Sequence, residues 1–351
     1  MGLLAVSQGL AVPDGLARDL AESDPKDLAQ IALVNHVHTV VGQAFERAPE
    51  LGDHVPRDFL VYLAEMAQAN AGRNRALMDQ LALIGGAFAR AGIPAVALKG
   101  SAELLAPTYP DPARRFISDT DILVPETCIE DALACLTDLG GTHVPDDKDF
   151  MHHLPPVMLP DGVAPIELHL RIGNDLTDRM LPANRVLAHA LPHDCGLSVP
   201  DPATRLTHLI VHGQIHHDHH ALRALSLRDC LDFHWMRRRF GPEALEQTRA
   251  TFAEAGQSTV FEGFVAISNV VLGTPATPVD PSATRWARAT LAAFGQPGCR
   301  RLRETVKWAL TCLWRFVSSS EYRRYYLGVL SDRRKLRRVL GNLRGRRRRV
   351  Q

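Results

Sequence analysis

Leu77, Leu81, Ile84 and Phe88 recur at intervals of 4, 3 and 4, which sets four apolar side chains on one helix face, with Arg73, Asp79 and Arg90 on the other side. Gly92 ends that helix and Pro94 blocks its continuation. The ninety or so residues before this point read as helices throughout. The period then changes. Ala95–Leu98 is apolar, too short for a helix and bounded by Pro and Gly, so it predicts a buried strand. Ser101 is placed to cap a short helix over 102–106, and three prolines within Pro107–Pro112 predict a loop. Phe116–Val124 predicts a second strand, and Glu126–Leu139 a helix closed by Gly140 and Gly141. His152–Leu159 and Ala164–Ile172 predict two more strands, joined across the Asp161-Gly162 turn signal. Residues 94–172 thus read as an α/β unit of about four strands and two helices. From Pro202 the helical period returns: Leu206, Leu209, Ile210 and Ile215 mark one helix, Leu225–Phe240 another, Ala250–Leu272 one or two more, and Trp308–Phe316 a last one.

The pattern predicts four parts: an N-terminal helical region over 1–92, an α/β core over 93–198, a helical domain over 199–330 and an Arg-rich tail over 331–351. A hydrophobic content of 46% with only 6% aromatics excludes a disordered chain and favours helix-rich packing over a β-sandwich. No apolar run reaches the ~18 residues of a membrane span. The apolar start, Met1–Val12, has no Lys or Arg ahead of it, so it lacks the charged region of a secretory signal. Six cysteines without a Cys-x-x-Cys pair suit reduced thiols and a cytoplasmic protein.

Charge is segregated. Residues 299–351 carry 17 Lys/Arg against 3 Asp/Glu, which leaves 23 against 36 before them. The runs Arg333–Arg338 and Arg344–Arg349 suit a nucleic-acid or other anionic partner, or a solvated tail docked on the acidic body.

The candidate chemistry lies in Lys99-Gly100-Ser101 and, 18 residues on, Asp119-Thr120-Asp121. Strand alternation projects Asp119 and Asp121 from one side. Two neighbouring carboxylates repel when ionised, and a divalent cation removes that repulsion; Mg²⁺ in particular prefers oxygen ligands and phosphate oxygens. Ile166–Ile172 alternates strictly, with Glu167, His169 and Arg171 on one face. Placed beside the first strand, Glu167 supplies a third acid. Three acids opposite a Gly-Ser turn at a helix start are the elements of metal-dependent phosphoryl transfer. Arg115 precedes the Asp strand, where it either reaches a phosphate or pairs with an acid such as Asp111. Lys99 ends a buried strand, where an ammonium needs a partner.

Lys99-Gly100-Ser101, Tyr109, Arg115, Asp119-x-Asp121-Ile-Leu-Val and Ile166-Glu-Leu-His169 together resemble the polymerase-β-like nucleotidyltransferase superfamily. More narrowly they are similar to its bacterial branch of largely uncharacterised nucleotidyltransferases. The match covers about residues 80–172, with a looser likeness that ends near Trp235. The step from Ser101 to Asp119 exceeds the usual superfamily spacing, and Ala102 stands where many members have a small hydroxyl residue or glycine.

The resemblance implies an α+β fold with a mixed sheet of four to five strands. It implies that Asp119 and Asp121 bind two Mg²⁺ ions and that Glu167 completes the site and helps activate the attacking hydroxyl. Gly100 and Ser101, with Lys99 and Arg115, are expected to hold the triphosphate of an NTP, and His169 to line the site or orient its acids. A nucleoside monophosphate then passes to a hydroxyl acceptor with release of pyrophosphate. The acceptor stays open among a small molecule, a peptide and an RNA end, as does the choice of nucleobase, ATP included. Two other readings stand beside it: a non-catalytic nucleotide-binding or nucleic-acid-interacting module, and a toxin-like enzyme acting on tRNA. His208, His212 and His216 share a helix face with His217, His219 and His220 following, and read as structural or solvated residues, as adventitious metal binders or as residues with a role near the nucleotide. Arg223, Arg228 and Asp229 read as a segment that packs helices on the core.

Overall fold

The computed structural model describes residues 1–144, 153–273 and 279–294, with isolated positions between 305 and 327. Met1–Ala292 form one compact unit, and Ala293–Gln351 a second, of which the described positions are helical. Part of the Trp308–Phe316 expectation and all of the Arg-rich run fall outside the described residues, as do Cys299, Cys312 and the start of the strand expected from His152.

Five helices come first: α1 (Gly2–Ser7), α2 (Leu16–Glu22), α3 (Pro25–Val34), α4 (His38–Arg47) and α5 (Arg57–Arg90). The α/β part follows as β1 (Val96–Ala97), α6 (Lys99–Leu105), β2 (Thr120–Leu123), α7 (Ile129–Asp138), β3 (Thr142–His143), β4 (Val157–Met158) and β5 (Ile166–His169). After α8 (Asp175–Met180) and α9 (Ala183–Ala188), the hairpin β6 (Leu191–Pro192) and β7 (Ser198–Val199) returns to the same sheet. The remaining helices are α10 (Pro202–Ile210), α11 (His219–Leu222), α12 (Leu227–Glu254), α13 (Ser258–Leu272) and α14 (Pro281–Phe294). α12 breaks at Gly241, whose φ of 80° is left-handed, just before Pro242; the expected stop after Phe240 is there. Among the described residues no helix is long and apolar enough to cross a membrane.

The fold is α+β, and among the described residues its sheet has seven strands in the order β3-β4-β5-β2-β1-β7-β6 rather than four to five. The two strands beyond residue 172 were not apparent because each is only two residues long, too short to show a period. β2 runs parallel to β5 and antiparallel to β1. Phe116–Val124 shortens to Thr120–Leu123; just ahead of it Arg73 of α5 donates to the Ile117 and Ser118 carbonyls. Helix α6 starts at Lys99, not after Ser101, so Ser101 lies inside the first turn and Leu98 occupies the cap position.

The sheet separates two apolar clusters by strand alternation. Ala97, Ile122, Val124, Ile166 and Leu168 face Leu77, Leu81, Ile84 and Phe88 of α5 and Ala132 and Leu136 of α7. Val96, Leu98 and Leu123 face the other way, onto Leu181 and Val186. Each fully buried side chain of this size contributes about 1.5–3 kcal/mol. Gln80 of α5 fixes the strand that carries the acids, donating to Thr120 Oγ1 and to the Ala164 carbonyl, both at 3.1 Å.

Candidate active site

β2 and β5 pair in parallel with Asp121 opposite Glu167 and Leu123 opposite His169. Their registry sets Asp121, Glu167 and His169 on one face, and their ligand atoms lie within 4.8 Å of one another. Asp119, two residues before Asp121, lines a cavity of about 310 Å³ together with Glu167. The three acids expected from the sequence are therefore brought together, and the strand pairing that joins them is the one the acids required.

Asp121 is fully buried and heavily engaged. Lys99 Nζ donates to its Oδ1 at 2.7 Å, and His169 Nε2 donates to the same oxygen at 2.8 Å. Its backbone N–H donates to Ser101 Oγ at 3.1 Å, which ties α6 to β2. Burial would raise the Asp121 carboxyl, but Lys99 and His169 hold it well below the usual carboxylate range. Burial would lower Lys99, and Asp121 raises it instead. Asp121 Oδ2, by contrast, is buried and has no hydrogen-bond partner among the described residues. Such an oxygen is costly unless something pairs with it.

Asp119 is pushed up to about 6, first by burial and then by the charge of Asp121. The like-charge strain expected from the Asp-x-Asp spacing is thus present. A divalent cation would relieve it and would satisfy Asp121 Oδ2, so the donor set fits a hard, oxygen-seeking ion. His169 Nε2 also lies 3.6 Å from Glu167 Oε2, and His153 Nε2 lies 3.7 Å from the same oxygen. Burial would lower His169, and its bonds to Asp121 and Glu167 raise it. His169 is thus hydrogen-bonded to Asp121 and lies close to Glu167.

Lys99 and Arg115 both line the cavity, and both already have acids. Arg115 forks onto Asp232 of α12, Nε to Oδ1 at 3.0 Å and Nη2 to Oδ2 at 2.7 Å. Its partner is not Asp111, which caps its own loop and pairs with Arg114. Tyr109 Oη donates to Asp232 Oδ1 at 2.7 Å. Gly100 is held tightly: a Cβ there would come 2.9 Å from Ile117 and 3.0 Å from Arg115 Nη1. The backbone before it is strained, since Lys99 takes a left-handed φ of 45°.

Several site-building residues escaped the sequence reading. Asn70 and Asn74 of α5 donate to the carbonyl of Arg115, and Arg73, expected on the exposed side of that helix, donates to the Ile117 and Val163 carbonyls. Arg205 of α10 donates to Glu103 of α6. Asp232 lies one helical turn past the Arg-Asp segment expected to pack helices on the core. The signal available for Asp232 was only an acid at a helical spacing from Asp229, among apolar neighbours. Asp229 is itself buried beside Gly213, where a Cβ would meet its Oδ2 at 2.7 Å.

The histidines are not merely solvated. Val211–His216 forms a π-helical turn, a rare geometry frequent at functional sites, and it brings His212, His216 and His217 to the cavity wall. Burial, followed by Lys99 for His212 and by His216 for His217, lowers these two imidazoles, His217 to about 4. Both are neutral at pH 7. Among the described residues this cluster does not form a metal-ligating group of its own.

The mixed sheet thus carries Asp119 and Glu167 to a cavity also lined by Lys99, Arg115 and Arg228, with Asp121 buried beside Glu167. The chain belongs to the family of uncharacterised nucleotidyltransferases, which matches it over residues 21–273. Comparison with curated proteins gives no significant match.

Proposed function

We propose that this protein is a Mg²⁺-dependent enzyme that transfers a nucleoside monophosphate from an NTP to a hydroxyl acceptor and releases pyrophosphate. The observation that supports it most is the Asp121–Glu167 registry, with Asp119 and Glu167 on the wall of the cavity that Lys99 and Arg115 also line and Asp121 buried beside Glu167. Asp119, Asp121 and Glu167 are the residues to hold the cation, which when bound supplies charge neutralisation at the phosphates. His169 holds the Asp121 and Glu167 carboxylates in position through the contacts described above. Ser101 fixes the Asp121 backbone, so its contribution to nucleotide binding is to place that acid.

The acceptor hydroxyl oxygen bonds to the α-phosphorus, the bond to the bridging α–β oxygen breaks, and pyrophosphate leaves with that electron pair. Glu167, with a partly exposed side chain at the cavity, accepts the hydroxyl proton. Gly100 leaves room for Arg115 against the cavity, and Lys99 holds the charge of Asp121 at the cavity wall. The acceptor class stays open among a small molecule, a peptide and an RNA end.

Isothermal titration with each of the four NTPs, in Mg²⁺ and in EDTA, tests this reading. Binding of at least one NTP is expected to require metal and to be lost in Asp119→Asn and Asp121→Asn. Equal binding in EDTA, or in both variants, contradicts it and favours a non-catalytic nucleotide-binding module.

A further inference from the structure

Three strong cations line the cavity: Lys99, Arg115 and Arg228. The first two are each bonded to a buried carboxylate at 2.7 Å. Arg228 is different. Its one ion-pair contact among the described residues is Asp229 Oδ1, 3.9 Å from Nε and too long for a hydrogen bond. That Nε is nonetheless buried, with no hydrogen-bond partner. Burying a guanidinium nitrogen without an acceptor costs free energy. Its counter-ion is also weakened, because burial raises the Asp229 carboxyl towards its neutral form.

Helix energetics do not account for the residue either. Arg228 sits in the first turn of α12, after the Ser226 cap, where the macrodipole disfavours a cation. It also lines a second cavity of about 50 Å³, which shares Lys99, Arg115 and His212 with the larger one. A guanidinium with a buried, unsatisfied Nε on the wall of two cavities, one of them also lined by Asp119 and Glu167, matches the chemistry of a phosphate chain: guanidinium takes two oxygens at once where ammonium takes one.

We propose that Arg228 binds the polyphosphate of the nucleotide, so that the helical part of the chain holds the leaving group while the sheet holds the acids. The assignment deepens the nucleotidyl-transfer reading and rests on it. Lys99 and Arg115 then keep the acids and the cavity wall in place, and Arg228 supplies the guanidinium that phosphate completes.

Calorimetric titration of the full chain with inorganic tripolyphosphate in Mg²⁺ tests it, with Mn²⁺ binding followed by electron paramagnetic resonance in parallel. Arg228→Ala is expected to weaken tripolyphosphate binding by about tenfold or more, and Arg228→Lys by less, since one ammonium replaces a fork. Mn²⁺ binding should stay within about twofold of wild type in both, which shows that the variants are folded with the acids in place. Unchanged tripolyphosphate affinity in Arg228→Ala overturns the proposal, as does a wild-type chain that binds Mn²⁺ but not tripolyphosphate. Failure of the underlying reading is distinguishable: tripolyphosphate would then bind equally well in EDTA and in Asp121→Asn while still being lost in Arg228→Ala.

Discussion

Lys99 combines a left-handed backbone with an ammonium bonded to Asp121, and the two features can be separated by substitution. Lys99→Ala and Lys99→Gly both remove the ammonium. Only the glycine also removes the Cβ that makes φ near 45° unfavourable. Urea unfolding is therefore expected to find Lys99→Gly more stable than Lys99→Ala by about 1 kcal/mol. Equal stabilities would show that the backbone strain is absent. The acids were readable before the structure because a two-residue spacing and a two-residue strand period coincide at Asp119 and Asp121, and again at Glu167 and His169. The roles of Ser101, Lys99 and Arg115 were not, since each is decided by a partner far along the chain: Asp121 for the first two and Asp232 for the third.

Gly85 and Gly86 lie side by side within the last two turns of α5, and within a helix glycine ordinarily costs about 1 kcal/mol relative to alanine. Their surroundings differ. A Cβ on Gly85 would sit 2.2 Å from the Cys195 carbonyl oxygen, whereas one on Gly86 would meet only the flexible end of Arg90 at 3.4 Å. The turn between β6 and β7 thus lies directly against the helix at Gly85, and Gly196, at φ 89°, completes the close approach. Gly86→Ala should stabilise the protein by about 0.5–1 kcal/mol. Gly85→Ala should destabilise it by about 2 kcal/mol or more, because a backbone carbonyl has to shift. Denaturant melts of the two variants decide this, and the same sign for both would be the contrary result. The α5 face and the strands of residues 94–172 were readable from their periods, whereas the π turn and the late hairpin were not. A six-residue turn of altered pitch and strands of two residues leave too few positions to establish a repeat.

Asp232 joins the two halves of residues 1–292, because Arg115 and Tyr109 approach it from the loop ahead of β2 while α12 carries it. Burial would raise its carboxyl, and Arg115 holds it below the usual aspartate value instead. Asp232→Asn leaves a buried guanidinium without its counter-charge and is expected to cost about 3–5 kcal/mol at neutral pH. A carboxylate whose folded pKa is depressed stabilises above the unfolded value of about 3.9 and loses that contribution as pH falls through the folded one. The gap between wild type and Asp232→Asn should accordingly hold from pH 7 down to about 4 and narrow below it. Urea melts across that range check the sign, and a gap that is constant into strong acid would be inconsistent with it. The helix-rich character was readable from composition and period, and the mixed sheet from the resemblance to a known superfamily. This long-range clamp was not, since nothing local marks a single aspartate as the partner of an arginine over a hundred positions earlier.

The same clamp orders events during synthesis. A ribosome delivers Asp119, Asp121 and Glu167 well before Asp232, so for part of translation the emerging polypeptide carries every acid of the site while Arg115 has no carboxylate to fork onto. A fragment released at that stage exposes a guanidinium meant for burial and lacks the helix that carries Arg228. Under the proposed function, such a fragment lacks both the carboxylate that seats Arg115 and the guanidinium assigned to the polyphosphate.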